Sequence, residues 1–473
     1  MACGAMEVQL PSNLSTQSAI TQHSGLSTQH WRCSMSTLPL EGIRILDFTV
    51  VWAGPFATML LADFGAEVIR VESLQYFPSV TRGLLPRPDA ALARQLPGYA
   101  GAYPEHDPGP RPWNRHPMFN PHARNKLSMT VDLSRPKGRE LFLKLVSLSD
   151  VLVENHSARF MENLGLTYDV LSQSKPDLIM VSMPAFGMSG PYKYYQGFGI
   201  NVESVCGLTW LRSYPNGDPT ETSSTLHMDA ASGAGTAFAI LAALHYRQRT
   251  GKGQFIDFAQ AENLMQQIGE ILMDYPMNGR SQRSLGNRHP VMAPHGCYPC
   301  RGHDRWVIIA VADDAEWERF CQAVGNPPWV RDARFADSAS RYRHQDALDA
   351  HIAAWTQQHH PWEIMERLQG AGIASGPVMR ETDLFTDPHL KARDFFQIVT
   401  HPEAGTHPYP GIMWQMSKTP ATIRRPAVRL GEDNDYVYRE LLKLSAAEIA
   451  ALRAEGHIGM DFLGKDTPHA RNS

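Results

Sequence analysis

From residue 43 to residue 187, short and almost unbroken apolar runs alternate with amphipathic stretches. IRILDF (43–48) leads through TVVWAGP into PFATMLLADFG (55–65). Pro55 falls in the first helical turn, where its missing N–H costs little, and Gly65 ends the helix. EVIRVE (67–72) is the next apolar run. The unit recurs in the strand-like KLSMTVDL (126–133), the helical PKGRELFLKLVSLS (136–149) and the strand-like DVLVEN (150–155). The helical YDVLSQSKP (168–176) and the strand-like DLIMVSMPAFG (177–187) repeat it again. A sheet wetted on one side alternates apolar with polar residues; these runs do not, so both faces must be covered. Strand, helix and strand repeated in this way dictate a parallel sheet with helices on both sides, a doubly wound α/β architecture.

Several stretches stand outside that rhythm. Residues 73–124 are crowded with Pro, Gly, Arg and aromatics, and a loop of that length inside a compact domain is usually functional or disordered. Tyr99, Tyr103 and Trp113 point to an ordered excursion over a site or an interface. Residues 254–262 (QFIDFAQAE) read as a strand entering a helix that runs to Met273, and WVIIAVADD (306–314) begins with another strand. We expect a large domain over 38–295 carrying the inserted loop 73–124, a smaller α/β domain over 296–385, and a C-terminal segment over 386–473. Residues 1–37 are rich in Ser, Thr, Gln and His and are expected to form a disordered N-terminal extension. Order is expected to begin at PLEGIRILDF, with Met35 a workable start.

At 473 residues the chain exceeds the ~250–300 residues at which a single core stops growing. Its net charge of -4 argues against a nucleic-acid binder, whose domains carry an excess of Lys and Arg. No run approaches the ~20 apolar residues of a membrane span, and the first 37 residues lack the apolar core of a secretory signal. A cytoplasmic protein is the expectation. Six cysteines are too few for a disulfide-stapled fold. Cys297 and Cys300 form a C-x-x-C, with His295 and His303 nearby, but there is no second C-x-x-C to complete a zinc site. They read as two half-buried thiols beside a strand, and no metal is expected.

Motifs for dinucleotides, P-loop phosphates, serine hydrolases and zinc peptidases are absent. Asp47 in ILDF reads as a buried, hydrogen-bonded carboxylate at a strand end. Asp229 is different. It opens DAASGAGTAFAILAA, a helical run made almost wholly of small and apolar side chains. From the residues alone, Asp229 is either the cap of that helix or a nucleophile in a dry pocket. A carboxylate is a poor nucleophile in water; stripped of its hydration among Ala, Gly and Met it becomes reactive, and a helix N-terminus helps keep it ionised.

PLEGIRILDFTVVWAGPFATMLLADFGAEVIRVE, NKLSMTVDLSRPKGRELFLKLVSLSDVLVEN, GQFIDFAQAE, HPVMAPHGCYPCRGHDRWVIIAVADDAEW and PVMRETDLFTDPHLKARDFF together resemble the family III coenzyme A transferases (CaiB/BaiF). That family includes formyl-CoA and carnitine CoA-transferases and shares its fold with α-methylacyl-CoA racemase. The resemblance spans about 38–435 in unbroken order. It implies a Rossmann-like large domain built from both chain ends, with 386–473 returning to it, a smaller domain between, and an interlocked homodimer. It implies no permanently bound cofactor, with coenzyme A thioesters and free carboxylic acids as substrates. Asp229 in MDAASG matches the family's reactive aspartate. By the same resemblance Trp52 and Ala53 fall at the CoA thioester arm, Val131 and Leu133 near the adenine, and Asn155 and His156 near the pantetheine. Oxyanion donors are expected from the Ala230–Gly233 backbone and the Val51–Ala53 turn.

This chain also departs from the pattern. Formyl-CoA transferase has a catalytic glutamine where Trp52 stands, which speaks against oxalate chemistry. The family's phosphate-contacting arginines fall on Ser73 and Asn163, so Arg70, Arg124, Lys126 and Arg159 become the candidate phosphate ligands. The racemase branch carries a His-Asp pair where GFGIN (197–201) places Phe198 and Gly199, and Phe cannot shuttle a proton. The expected activity is CoA transfer from an acyl-CoA to a free acid through Asp229. An isomerase of the same fold or a non-catalytic CoA-binding protein are the alternatives.

Overall fold

The computed structural model describes residues 38–222 and 226–463, so the N-terminal extension read over 1–37 lies outside the described residues. Six strands form one wholly parallel sheet in the order β3-β2-β1-β4-β5-β6. They are β1 (Arg44–Phe48), β2 (Glu67–Glu72), β3 (Lys126–Thr130), β4 (Val151–Glu154), β5 (Ile179–Ser182) and β6 (Gln254–Asp257). Strand order reverses between β1 and β4, and an open sheet of this kind presents its ligand crevice beyond the carboxyl ends of the strands at such a point. Register pairs Phe48 with Glu154, leaving Thr49 and Asn155 as the first residues beyond the edge.

Both faces are covered, as the unbroken apolar runs require. On one side the helix Ala53–Asp63 and the long helix His227–Thr250 pack Met59, Leu60, Ala237 and Ile240 against Ile45, Val68 and Val153. On the other, the helix Pro136–Ser147 contributes Leu141, Phe142 and Leu145. Val437, Tyr438, Ile449, Leu452 and Ile458 join that second layer, so residues near the end of the chain complete a core begun by its first strands.

Two strands are shorter than their apolar runs. β3 ends at Thr130, where its partner β2 ends at Glu72, and β5 ends at Ser182, two residues before Pro184, which has no N–H for a ladder. Residues 73–124 are ordered by short helical turns. Trp113 and Phe462 pack edge-on, and Arg82 is sealed between Glu72 and the ring of Phe119. A separate antiparallel sheet contains β7 (His295–Pro299), β8 (Trp306–Ala310) and β9 (Ala374–Pro377). Trp317, Phe320, Leu348, Ile352 and Leu368 from its helices form a core of their own. A hairpin of β10 (Phe396–His401) and β11 (Gly405–Pro410) follows. No helix among the described residues is long and apolar enough to cross a membrane. Cys300 is buried and Cys297 half-buried, and no cluster of three metal-ligating side chains occurs among the described residues.

Candidate active site

The turn leaving β1 is held from three directions. Asn155 accepts from the Val50 N–H at 2.7 Å and donates to the Val50 carbonyl at 2.8 Å, bridging the point where strand order reverses. Thr81, from the insertion, accepts from the Val51 N–H at 2.7 Å, and Asp47 accepts from the Thr49 N–H at 3.1 Å. Held in this way, Val51 adopts a φ of 63°, a left-handed conformation that a β-branched residue takes only under constraint. The turn delivers Trp52 and Ala53 to the start of the Ala53–Asp63 helix, where the first amides have no intrahelical carbonyl.

The Ala53 N–H donates to the carboxyl of Asp229, in the first turn of the His227–Thr250 helix. Asp229 is only 6% exposed. Burial drives its pKa up, the Ala53 N–H opposes that rise and the Glu203 charge adds to it, leaving it at about 6. Close approach is possible because two glycines lack side chains. A Cβ on Gly199 would lie 2.3 Å from Asp229 Oδ2, and one on Gly233 would lie 2.8 Å from the Ala53 carbonyl and 2.7 Å from Phe56.

The helix-cap reading of Asp229 is met in part, since its carboxyl also takes its own N–H in the first turn, but the other donors there go elsewhere. Leu226 occupies the N-cap position with no side-chain bond, and the Met228 N–H is taken by Glu203, a buried carboxylate that also pairs with Arg212. Glu203 was not picked out from sequence. Its only trace is a carboxylate inside an apolar helix, GINVESV, which a reader assigns to solvent.

Trp52, Ala53, Asn155 and Asp229 are thus brought together at one end of the sheet. His156 follows Asn155 beyond β4 and stacks on Phe160 with ring centroids 3.8 Å apart. The other residues expected at CoA are engaged within the protein. Arg70 and Lys126, expected at the CoA phosphates, are instead buried and both bond Asp47 at 2.9 Å. Lys126 also donates to the Pro55 carbonyl and the Thr58 hydroxyl. Burial would raise the Asp47 pKa, but the two cations outweigh it and hold that carboxyl well below the usual range. Arg124 is likewise buried on Asp63, and Arg159 lies over the ring of Tyr194. Val131 and Leu133, expected near the adenine, have side chains in the core. The Ala230 N–H bonds the Leu226 carbonyl, so the amides of Ala230–Gly233, expected to serve an oxyanion, are used inside their helix, and the Ala53 N–H is the one that reaches Asp229 from the facing turn.

The sequence as a whole settles the family. The model of CoA-transferase family III matches residues 40–434. The chain belongs to CoA-transferase family III. It is 31% identical to the succinyl-CoA–D-citramalate CoA-transferase of Chloroflexus aurantiacus over 88% of this chain and 97% of that one. It is 31% identical to the succinyl-CoA:mesaconate CoA-transferase of Haloarcula marismortui over 77% of this chain and 86% of that one. A crystal structure of a CaiB/BaiF family protein from Brucella suis superposes with a TM-score of 0.73 at 28% identity, covering 85% of this chain and 99% of the other. The protein is therefore an enzyme of the CoA-transferase class, and CoA thioesters are its substrates.

Proposed function

We propose that the family III CoA-transferase moves CoA from an acyl-CoA to a free carboxylic acid with Asp229 as the covalent nucleophile. The observation that carries this reading is the pairing of a dry carboxyl with the Ala53 N–H while Glu203 takes the Met228 N–H. An Asp229 oxygen attacks the thioester carbonyl and expels CoA as thiolate, leaving an acyl–aspartyl anhydride. The thiolate then attacks the aspartyl carbonyl, releases the first acid as a carboxylate and forms an aspartyl-CoA thioester. The incoming carboxylate attacks that thioester and expels the thiolate again. The thiolate takes the new acyl group from the second anhydride and regenerates Asp229. Ala53 N–H is placed to receive the oxyanions, a donor worth ~3–4 kcal/mol.

CoA lies, in this proposal, along Trp52, Ala53, Asn155 and His156. Its phosphates meet Arg135 and Arg139, the half-buried cations that follow Val131 and Leu133 at the N-cap and in the first turns of the Pro136–Ser147 helix. Succinyl-CoA, the donor in both relatives' names, is the first donor to test. A cytoplasmic setting and a homodimer with interlocked subunits belong to the same proposal. Phe238 is 74% exposed on the Asp229 helix, and Trp210, Tyr214 and Tyr275 are exposed as well. An apolar surface of that extent suits a second copy of the chain.

Rapid quench during turnover, followed by hydroxylamine or borohydride and mass spectrometry, tests the chemistry. An adduct on the peptide carrying Asp229, absent in Asp229→Asn, is expected. Product formed with no adduct on any time scale would overturn the reading.

A further inference from the structure

The insertion 73–124 ends beside the candidate nucleophile. His122, four residues before the first residue of β3, accepts the indole N–H of Trp52 on its Nε2, and the two rings pack with Phe56 in one aromatic group. The peptide unit joining Trp52 to Ala53 is the one whose N–H reaches Asp229. The Trp52 indole is therefore borne by the residue that immediately precedes the amide touching the Asp229 carboxyl.

An indole N–H can only donate, so His122 Nε2 must carry a lone pair and the ring must be neutral. Its surroundings enforce that state. Burial and the nearby Lys126, Arg124 and Arg70 push the His122 pKa down to about 3. The acceptor is permanent across any working pH, and the Trp52 N–H is permanently spent.

We infer that His122 is a positioning residue that turns Trp52 into a donor-free aromatic wall against the α-carbon of the acyl group, selecting acids with an apolar α-substituent over α-hydroxy acids. A hydroxyl pressed against that wall loses its water and gains no partner, whereas a methyl of nearly the same size packs on the rings. The inference rests on Asp229 being the acylated residue, and it gives the insertion a chemical task beyond packing.

Matched monocarboxylic acids that differ only by methyl and hydroxyl at the α-carbon test it: 2-methylpropanoate against lactate, and 2-methylbutanoate against 2-hydroxybutanoate. Each is measured by kcat/KM as acceptor or, if it does not turn over, by Ki against whichever acceptor does. The wild-type enzyme should prefer the methyl acid by about 10- to 100-fold. His122→Leu frees the indole N–H and should bring the ratio within a few-fold of one. His122→Gln keeps an acceptor and should restore it. Trp52→Phe removes the N–H altogether and should make a following His122→Leu change silent for the ratio. A wild-type ratio near one, or equal losses for both acids in His122→Leu and Trp52→Phe, would overturn the inference. Trapping of the Asp229 adduct in the same variants reports separately on the transfer mechanism, so the two readings can fail independently.

Discussion

Glu203 accepts the Met228 N–H at 3.1 Å, from a helix other than the one that carries Met228. The arrangement divides the donors at the helix start between two carboxylates. With the Met228 N–H satisfied from outside, the Asp229 carboxyl takes its own N–H and that of Ala53. Glu203 also places a like charge nearby, which discourages Asp229 from ionising.

The first consequence is an acid limb in the rate. Asp229 must be ionised to attack, and its pKa stands at about 6 in the free enzyme. A log–log plot of kcat/KM against pH should be level above about pH 6 and fall with unit slope below it. Glu203→Gln keeps an acceptor for Met228 and removes the charge, so the limb should move to lower pH. A limb that stays near 4 in the wild-type enzyme would contradict the burial argument.

Asp229 should also cost stability. Its pKa is raised from 3.8 to about 6, so the folded state holds the proton more tightly than the unfolded chain does. Nothing is lost below pH 4, where both states are protonated. Stability declines between pH 4 and 6, and above pH 6 the cost is on the order of 3 kcal/mol. Asp229→Asn should therefore raise the melting temperature at pH 7.5 and leave it unchanged at pH 3.5. Equal effects at both pH values would refute the linkage.

Gly199→Ala is expected to inactivate without unfolding. Its Cβ would need the space held by Asp229 Oδ2, 2.3 Å away, so the carboxyl must swing off the Ala53 N–H. A displacement of about 1 Å at a reacting group can cost ~10²-fold in kcat. Circular dichroism and the urea midpoint should change little. Full activity in this variant would show that the carboxyl need not sit where it does.

Lys126→Met should act on stability first. It strips one of two cations from the fully buried Asp47 and leaves the Pro55 carbonyl and Thr58 hydroxyl without their donor. Breaking a buried pair from one side costs ~3–5 kcal/mol. Urea titration reads it directly, and a loss below about 1 kcal/mol would mean that Arg70 alone suffices.

The parallel sheet was legible because its strands announce themselves. Runs such as VLVE and IMVS have no wet face, and helical stretches separate them. Asp229 stood out through its motif, and the structure adds that it is buried. Arg70 and Lys126 were misread because a cation in a sequence is assumed to seek water or a ligand. The contrary signal was present: each sits in an apolar strand run, and ILDF supplies a carboxylate to the adjoining strand. Sheet register sets Asp47 directly opposite Arg70. Glu203 and His122 could not be found that way, since each acts on a residue distant in sequence, through a contact that only the folded chain creates.

Val437, Tyr438, Ile449 and Leu452 close the layer over β2 and β3. While the chain is still being synthesised, the Pro136–Ser147 helix covers that side of the sheet only in part. The layer over Leu46, Ile69, Val71 and Met129 is completed once the Ala446–Ala454 helix has emerged from the ribosome. Native structure is thus completed late in the emergence of this enzyme, and the interval before it is when chaperones would matter most.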